Sequence, residues 1–582
     1  MKSIHKIVLL IFIVSFSACT SFLVEVPKDS RSSSNSYQDE AGVKAGLLGI
    51  YEGYYDMYIH SSVPFIGELG TDEAYCTFNS IDLRLIDTYA LSPQNTQTLP
   101  DWYMLNYKVI SRANVLIGRT KANFTNPSTE ILKMIAEAKV MRAWCYFRLA
   151  QTFGPVVLIK DEVIAPVDYG LSRAPLKDVY EQIVNDLKEA TNELILPTAR
   201  NSSSPVRVTH WVAKAMLGKV YLTMASSKEA GVIDRLMTKI EKPDFGFQSV
   251  KETKEQLYAL AQTTLKDIID NSGITLEPDY RKLFVWQYKN TIAENMWELQ
   301  ANDGTATSNP GKGFFLFSYG GSGGGSALPK LNGLFNKRML SGGALLIRSE
   351  GGYQEDDLRK AWVLNGGYKG TVKINGVNTL VPQYDYMVFS YATKKYSFLN
   401  RTVELQETNW KSTNIFYSGV TKFRFNINDS LQTPTIFNDA SSLPLNFTVI
   451  RYADVLLMYA EACYKVNGNT ADAETVRCMN LIRDRARGTT LPSATLPVYD
   501  TSLTFDNILN ERKLELCFES IRWFDLARTG KLIEIFNNPA TSTMGQQQRP
   551  QLTDEKCYLL PIPQTQIDVS TDKTGFFQNC GY

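Results

Sequence analysis

A single amphipathic stretch, Glu130 to Phe153, limits the fold of this 582-residue chain more than any other feature. Ile131, Ile135, Ala138, Met141, Cys145 and Leu149 recur in it at steps of three and four, the spacing that lines one face of an α-helix. Gly154-Pro155 then closes the helix, because glycine accepts the positive φ of a cap and proline cannot carry the helix on. A helix this long must bury its stripe against other elements, and its neighbours repeat the design. Tyr180, Ile183, Leu187 and Ala190 mark a second face, ending at Leu196-Pro197. Val208, Val212, Ala215, Lys219 and Leu222 mark a third, widened by Trp211, Ala213, Met216 and Tyr221. Towards the C-terminus, Val455, Tyr459, Ala462 and Val466 form a helix stopped by Asn467-Gly468, with residues 476–487 as its partner. Residues 506–519 and 522–534 read as a further pair. Helix pairs of this kind predict a mainly α, tetratricopeptide-like scaffold, although the strict repeat signature is absent.

The middle of the chain differs. Residues 241–448 carry Gly-rich turns, aromatic clusters and β-prone runs such as Phe314-Phe315-Leu316-Phe317. They predict a loop-rich, mixed α/β insertion in place of regular helix, and binding residues concentrate on such loops. Charge excludes one class of function. With 61 basic and 60 acidic residues, the chain has no global field to hold it on nucleic acid.

The first residues read as a targeting segment. Lys2, His5 and Lys6 precede an apolar run from Ile7 to Phe16, too short for the roughly 20 residues that span a bilayer. Phe16-Ser17-Ala18-Cys19 resembles the lipobox of bacterial lipoproteins. That likeness implies a signal peptide over 1–18, acylation of Cys19 and a tether over 19–40, with Pro27 and a serine-rich run; several acyl chains would make the anchor stable. The other cysteines (76, 145, 463, 478, 517, 557 and 580) are odd in number and lack a Cys-x-x-Cys pair, so neither zinc nor redox work is indicated. Cys145, Cys463, Cys478 and Cys517 read as small buried residues, and disulfide pairing after export stays open.

Catalytic machinery is sparse. The histidines are His5, His60 and His210, and His210 reads as a packing or capping residue beside Trp211. Gly320-Gly321-Ser322-Gly323-Gly324 fits G-x-S-x-G, but a nucleophile elbow needs a helix directly after its serine, and here Gly325-Ser326-Ala327-Leu328-Pro329 follows. Asp72-Glu73 and Asp356-Asp357 read as exposed acidic turns. Calcium suits such oxygens, yet no loop of EF-hand spacing exists; no cofactor is predicted and a metal is left unassigned. Glu511, Arg512, Glu515, Glu519, Arg522, Asp525 and Arg528 lie mostly three or four apart. They predict ion pairs along and between helices, with cations holding the carboxylates low.

Taken in order, these motifs resemble the SusD/RagB family of outer-membrane lipoproteins. The likeness is carried by Phe22-Leu23 and Pro27, by Trp102, Tyr107, Ile110 and Asn114, and by Glu137-Ala138, Met141-Arg142-Ala143, Tyr146-Phe147 and Phe153-Gly154. It continues through Arg451 to Ala462, Asn480, Ile482-Arg483 and Arg485-Ala486, then the charged run to Arg528, and ends in Pro561-Ile562-Pro563 and Gln578 to Tyr582. The resemblance implies N-terminal (41–240) and C-terminal (449–582) helical regions around the insertion. It also implies a surface-exposed, lipid-anchored protein that passes a nutrient, a glycan or oligosaccharide, to a SusC-like TonB-dependent transporter. Sugars stack a C–H face on aromatic rings while polar groups bond the hydroxyls. The family's ligand loops correspond here to segments holding Tyr75, Phe78, Asn79, Asp82 and Tyr89, then Trp286, Tyr288, Asn302, Phe314, Phe315, Phe317 and Tyr319; Phe284 and Trp297 read as packing positions. Alternatives are peptide or another nutrient as cargo, a secreted hydrolase using Ser322, and a pure helical scaffold. Acidic residues often follow the lipidated cysteine in displayed members, whereas Thr20-Ser21-Phe22 stands here.

Overall fold

The computed structural model describes residues 36–59, 66–76, 81–94, 98–163, 171–192, 195–200, 207–284, 288–299, 345–347, 357, 359, 366–374, 377–390, 395–398, 401–402, 425–428, 433–436, 446–488, 496–538 and 551–582. Cys19 and the whole lipobox lie outside them.

Helix α1 (Glu40–Ile59), strand β1 (Ala74–Cys76) and helices α2 (Ile81–Thr88), α3 (Thr98–Asn123) and α4 (Thr129–Phe153) open the fold. Helix α4 is the one its stripe predicts. Ser128 caps it, its hydroxyl accepting the Ile131 N–H at 3.2 Å, and every residue of the stripe is buried. Gly154 stops it at φ 71° and donates its N–H to the Ala150 carbonyl. A Cβ at Gly154 would meet Leu559 at 3.0 Å, so glycine serves both the turn and the close approach. Strands β2 (Val156–Val157) and β3 (Arg173–Ala174) pair antiparallel. Arg173 is buried, and its guanidinium donates to the carbonyls of Phe153, Pro155 and Phe577 and to Asn579 Oδ1. Thus the C-terminal segment is tied to the end of α4.

Helices α5 (Leu176–Thr191), α6 (His210–Ala230), α7 (Val232–Lys239) and α8 (Lys254–Asn271) follow. Helix α8 overturns the expectation that irregular chain begins near residue 241. Thr253 and Gln256 form a reciprocal capping box, and Leu257, Ala261, Leu265 and Ile268 bury one face. On α6, a Cβ at Gly218 would lie 2.6 Å from Leu265, so the missing side chain lets these two helices pack closely.

Strand β4 (Trp297–Leu299) leaves the helical frame. Beyond it lie β5 (Leu345–Ile347), an antiparallel sheet of β6 (Gly366–Ile374), β7 (Val377–Ser390), β8 (Lys395–Phe398) and β9 (Arg401–Thr402), and a pair formed by β10 (Phe425–Asn428) and β11 (Thr433–Ile436). Strand β12 (Phe447–Ile450) returns antiparallel to β4, with Phe447 opposite Leu299. The insertion therefore leaves and re-enters through a two-stranded stem. That stem is anchored by aromatic packing: fully buried Trp297 stacks on Tyr54 of α1 at 5.1 Å, and the Tyr54 hydroxyl accepts the Trp144 indole N–H. Phe284 is buried too.

The last helices are α9 (Tyr452–Val466), α10 (Ala473–Arg487), α11 (Phe505–Leu516), α12 (Arg522–Arg528), α13 (Leu532–Asn537) and α14 (Gln564–Val569). Two of these depart from the spacing. Helix α11 stops at Leu516, where Phe518 (φ 63°) and Ser520 (φ 60°) reverse the chain. The expected 522–534 helix breaks at Gly530 (φ 71°) into α12 and α13. Packing runs from α1 to α3, α4, α5, α6, α8, α9 and α10 in turn. Helix α8 is thus one bridge between the N-terminal and C-terminal helical regions. Cys145, Cys463, Cys478, Cys517 and Cys557 are buried, and Cys580 is half-buried. Among the described residues no helix is long and apolar enough to cross a membrane.

Candidate functional site

Strands β1 and β5 pair antiparallel, with Tyr75 opposite Leu346, so the first expected ligand segment meets the insertion. The chain just before β1 is seated on the sharp turn after α11. Glu68 Oε1 accepts the N–H of Ser520, and Glu73 Oε2 accepts that of Phe518 at 3.4 Å. Asp72 takes Arg522 Nε at 2.7 Å, Arg522 Nη2 at 3.0 Å and Lys513 Nζ at 3.2 Å. Burial alone would raise the Asp72 pKa, but Arg522 and Lys513 hold the carboxyl well below the usual range. Its neighbour Glu73 is shifted up, chiefly by burial. Gly67 completes the contact: its carbonyl accepts the Trp523 N–H at 2.8 Å, and a Cβ there would lie 2.5 Å from the Ser520 backbone. Asp72-Glu73 is therefore a buried anchor, not the exposed acidic turn expected.

A second anchor comes from inside the insertion. Arg359 is fully buried; it pairs with Asp357 at 2.7 Å, Glu511 at 2.8 Å and Glu515 at 2.9 Å. Glu515 also binds Arg451 at 2.6 Å and Arg485, and Arg451 reaches Glu519 at 2.8 Å and Glu294 at 3.0 Å. Arg483 pairs with Glu511 at 2.9 Å. Beside this net, Arg512 joins Asp454 and Asp525, and Arg528 joins Asp525 and Glu461. Burial would raise Glu515 and Asp525, but their arginines hold both far below the ordinary carboxylate range. Carboxylates clamped in this way hold fold geometry and do not trade protons near neutral pH. Asp357, which the sequence suggested as half of an exposed acidic turn with calcium-compatible oxygens, instead gives both oxygens to Arg359; Asp356 lies outside the described residues.

The expected ligand residues fall into three groups. Tyr89 is turned inward and corrects that expectation. At φ 53° its ring is 3% exposed, its hydroxyl donates to the Gly70 carbonyl at 2.8 Å, and it meets Phe536 edge-on at 5.5 Å. A ring so packed has no face free for a sugar. Tyr288 is half-buried, with the Lys282 ammonium 5.4 Å from its ring, Tyr75 lies on β1 and Asp82 on α2. Phe78, Asn79, Trp286, Asn302, Phe314, Phe315, Phe317 and Tyr319 lie outside the described residues, as do Ser322 and His60. His210 opens α6, packs edge-on against Trp211 and is buried. Burial, then Lys214, depresses its pKa. Asp357 and Arg359 were missed as a fold anchor, although an Asp and an Arg two apart inside a loop-rich segment are a local signal for such a pair.

Residues 290–582 match the SusD family, and residues 26–222 match a family described as "Starch-binding associating with outer membrane". The chain belongs to the SusD family. A SusD-like protein of Bacteroides ovatus is 26% identical over 90% of this chain and 83% of its own length. Among solved structures, one with xylogluco-oligosaccharide superposes with a TM-score of 0.63 at 20% identity, covering 91% of this chain and 98% of that one. A laminarin-binding SusD-like protein gives 0.58 at 21% identity, covering 94% and 100%. The SusD fold accounts for the buried signature residues: Arg451, Glu461, Glu511, Glu515 and Arg528 hold the C-terminal helices together.

Proposed function

We propose that this protein is a lipid-anchored outer-membrane component that binds a glycan or oligosaccharide and presents it to a SusC-like TonB-dependent transporter. The observation that carries the reading is a SusD fold in which strand β5 of the insertion pairs with β1, the strand that holds Tyr75, which supports a contact region shared by the insertion and the segment before α2. Support for glycan as cargo comes from the related folds, one solved with xylogluco-oligosaccharide and one that binds laminarin. Contact residues are proposed among Tyr75, Phe78, Asn79, Asp82, Trp286, Tyr288, Asn302, Phe314, Phe315, Phe317 and Tyr319, with Tyr89 withdrawn. Acylated Cys19 would supply the anchor. In this reading the chain works by binding, with turnover left to other proteins.

Affinity electrophoresis and calorimetry of the soluble mature chain against a panel of plant, algal and host glycans test the cargo. Saturable binding to one glycan class is expected, and absence of binding to every member would overturn the glycan assignment. Cys19→Ala should move the protein out of the outer-membrane fraction, and co-purification from native membranes should recover a TonB-dependent barrel with the wild type.

A further inference from the structure

The geometry points to Arg359, with Asp357, as a positioning residue that fixes the insertion's register on the helical frame, and hence orients the proposed ligand face. The insertion departs through β4 and returns through β12. Between those two strands, Arg359 drives its guanidinium in among residues of the C-terminal helices. Its fork is fully used: Nε and Nη2 hold Asp357 at 2.9 and 2.7 Å, and Nη1 meets Glu511 and Glu515 at 2.8 and 2.9 Å. All four residues are buried, and the side chains of Arg359, Asp357, Glu511 and Glu515 have no exposed surface.

Why an ion plug matters follows from desolvation. Placing charges in the interior is expensive, and an apolar side chain of similar volume commonly stabilises a core as well or better. What the charged plug adds is direction, since a planar fork meets its three carboxylates in one orientation only. The frame does not need it for neutrality: Glu515 keeps Arg451 and Arg485, and Glu511 keeps Arg483 and the Tyr499 hydroxyl. Deleting Asp357 and Arg359 together removes one negative and one positive charge, so the formal balance of the net is unchanged. The plug therefore serves the insertion more than the helices that receive it.

The test uses the full mature chain with Arg359→Met, Arg359→Lys and the double variant Asp357→Asn/Arg359→Met. Hydrogen exchange is compared between peptides from 300–446 and peptides from α3 to α6. In the double variant, insertion peptides should exchange about tenfold faster or more while the frame is unchanged; Arg359→Lys, which keeps the charge and loses the fork, should fall between. Glycan affinity, the readout that rests on the function proposed above, should drop by about tenfold or more. Unchanged insertion exchange in a folded double variant overturns the inference, as does equal loosening of frame and insertion, which would make Arg359 an ordinary core ion. A wild type that binds no glycan defeats the proposed cargo alone, because the exchange pattern still decides the role of Arg359.

Discussion

The two helical regions of this protein are built on different physics. From α3 to α6, apolar faces do most of the joining, and ion pairs such as the buried Arg142–Asp186 and the half-buried Glu137–Arg207 stand apart from one another. Around α9 to α12 the pairs are connected, so that Glu515 alone links Arg359, Arg451 and Arg485. Apolar faces are tolerant, because hydrophobic attraction has no direction. A connected net of arginine forks is not tolerant, since every member constrains the next. The difference teaches that the first region supplies extent and the second supplies registration, and the insertion is plugged into the second.

Removing Arg451 is the strongest way to break this comparison. Arg451→Leu takes away a guanidinium shared by the buried carboxylates of Glu294, Glu515 and Glu519, and should cost about 3–5 kcal/mol in urea unfolding. A double-mutant cycle on Arg451 and Glu519 should show larger coupling than one on Arg142 and Asp186; equal couplings would erase the distinction. For the tolerant region, Leu149→Ala at a fully buried position of α4 should cost about 2–4 kcal/mol through lost transfer energy and a cavity, with no change in acid sensitivity.

Acid sharpens the contrast further. Asp72, Glu515 and Asp525 have pKa values depressed in the folded state, so their stabilising contribution is complete above the unfolded carboxylate pKa and is lost as pH falls below it. Glu73 and Glu137, raised mainly by burial, act with the opposite sign and offset part of that loss. A net fall of about 2 kcal/mol between roughly pH 5 and pH 3 is expected, followed by chemical denaturation at each pH. Flat stability over that window would refute the assigned shifts. The smallest effect is local: Thr253→Ala removes the capping box of α8 and should cost about 1 kcal/mol, read as faster exchange in the first turn of the bridging helix.

Much of the frame was legible because its signals are local. Ile131 to Leu149 declare α4, and Ser128 and Gly154 mark its ends within the same stretch. Helix α8 was equally legible from Leu257, Ala261, Leu265 and Ile268, but the irregular composition around it concealed that stripe. Site residues were harder because their fates depend on distant partners. Tyr89 looked like a loop aromatic until Phe536, from the far end of the chain, closed over it. Asp72 and Glu73 looked exposed because Lys513, Arg522 and the Phe518 N–H, which bury them, lie far along the sequence. Backbone reversals at Phe518 and Ser520 were invisible for a related reason: positive φ is rare for such residues and is held here by carboxylates from elsewhere.

Consider finally the stem in which Leu299 faces Phe447. Since departure and return are neighbours, the stem closes as a hairpin does, however long the chain between its two strands. Lengthening such a loop adds little closure entropy. Natural selection could therefore exchange one cargo-reading segment for another at this junction as a graft, provided that each newcomer carried its own cation to meet Glu511 and Glu515.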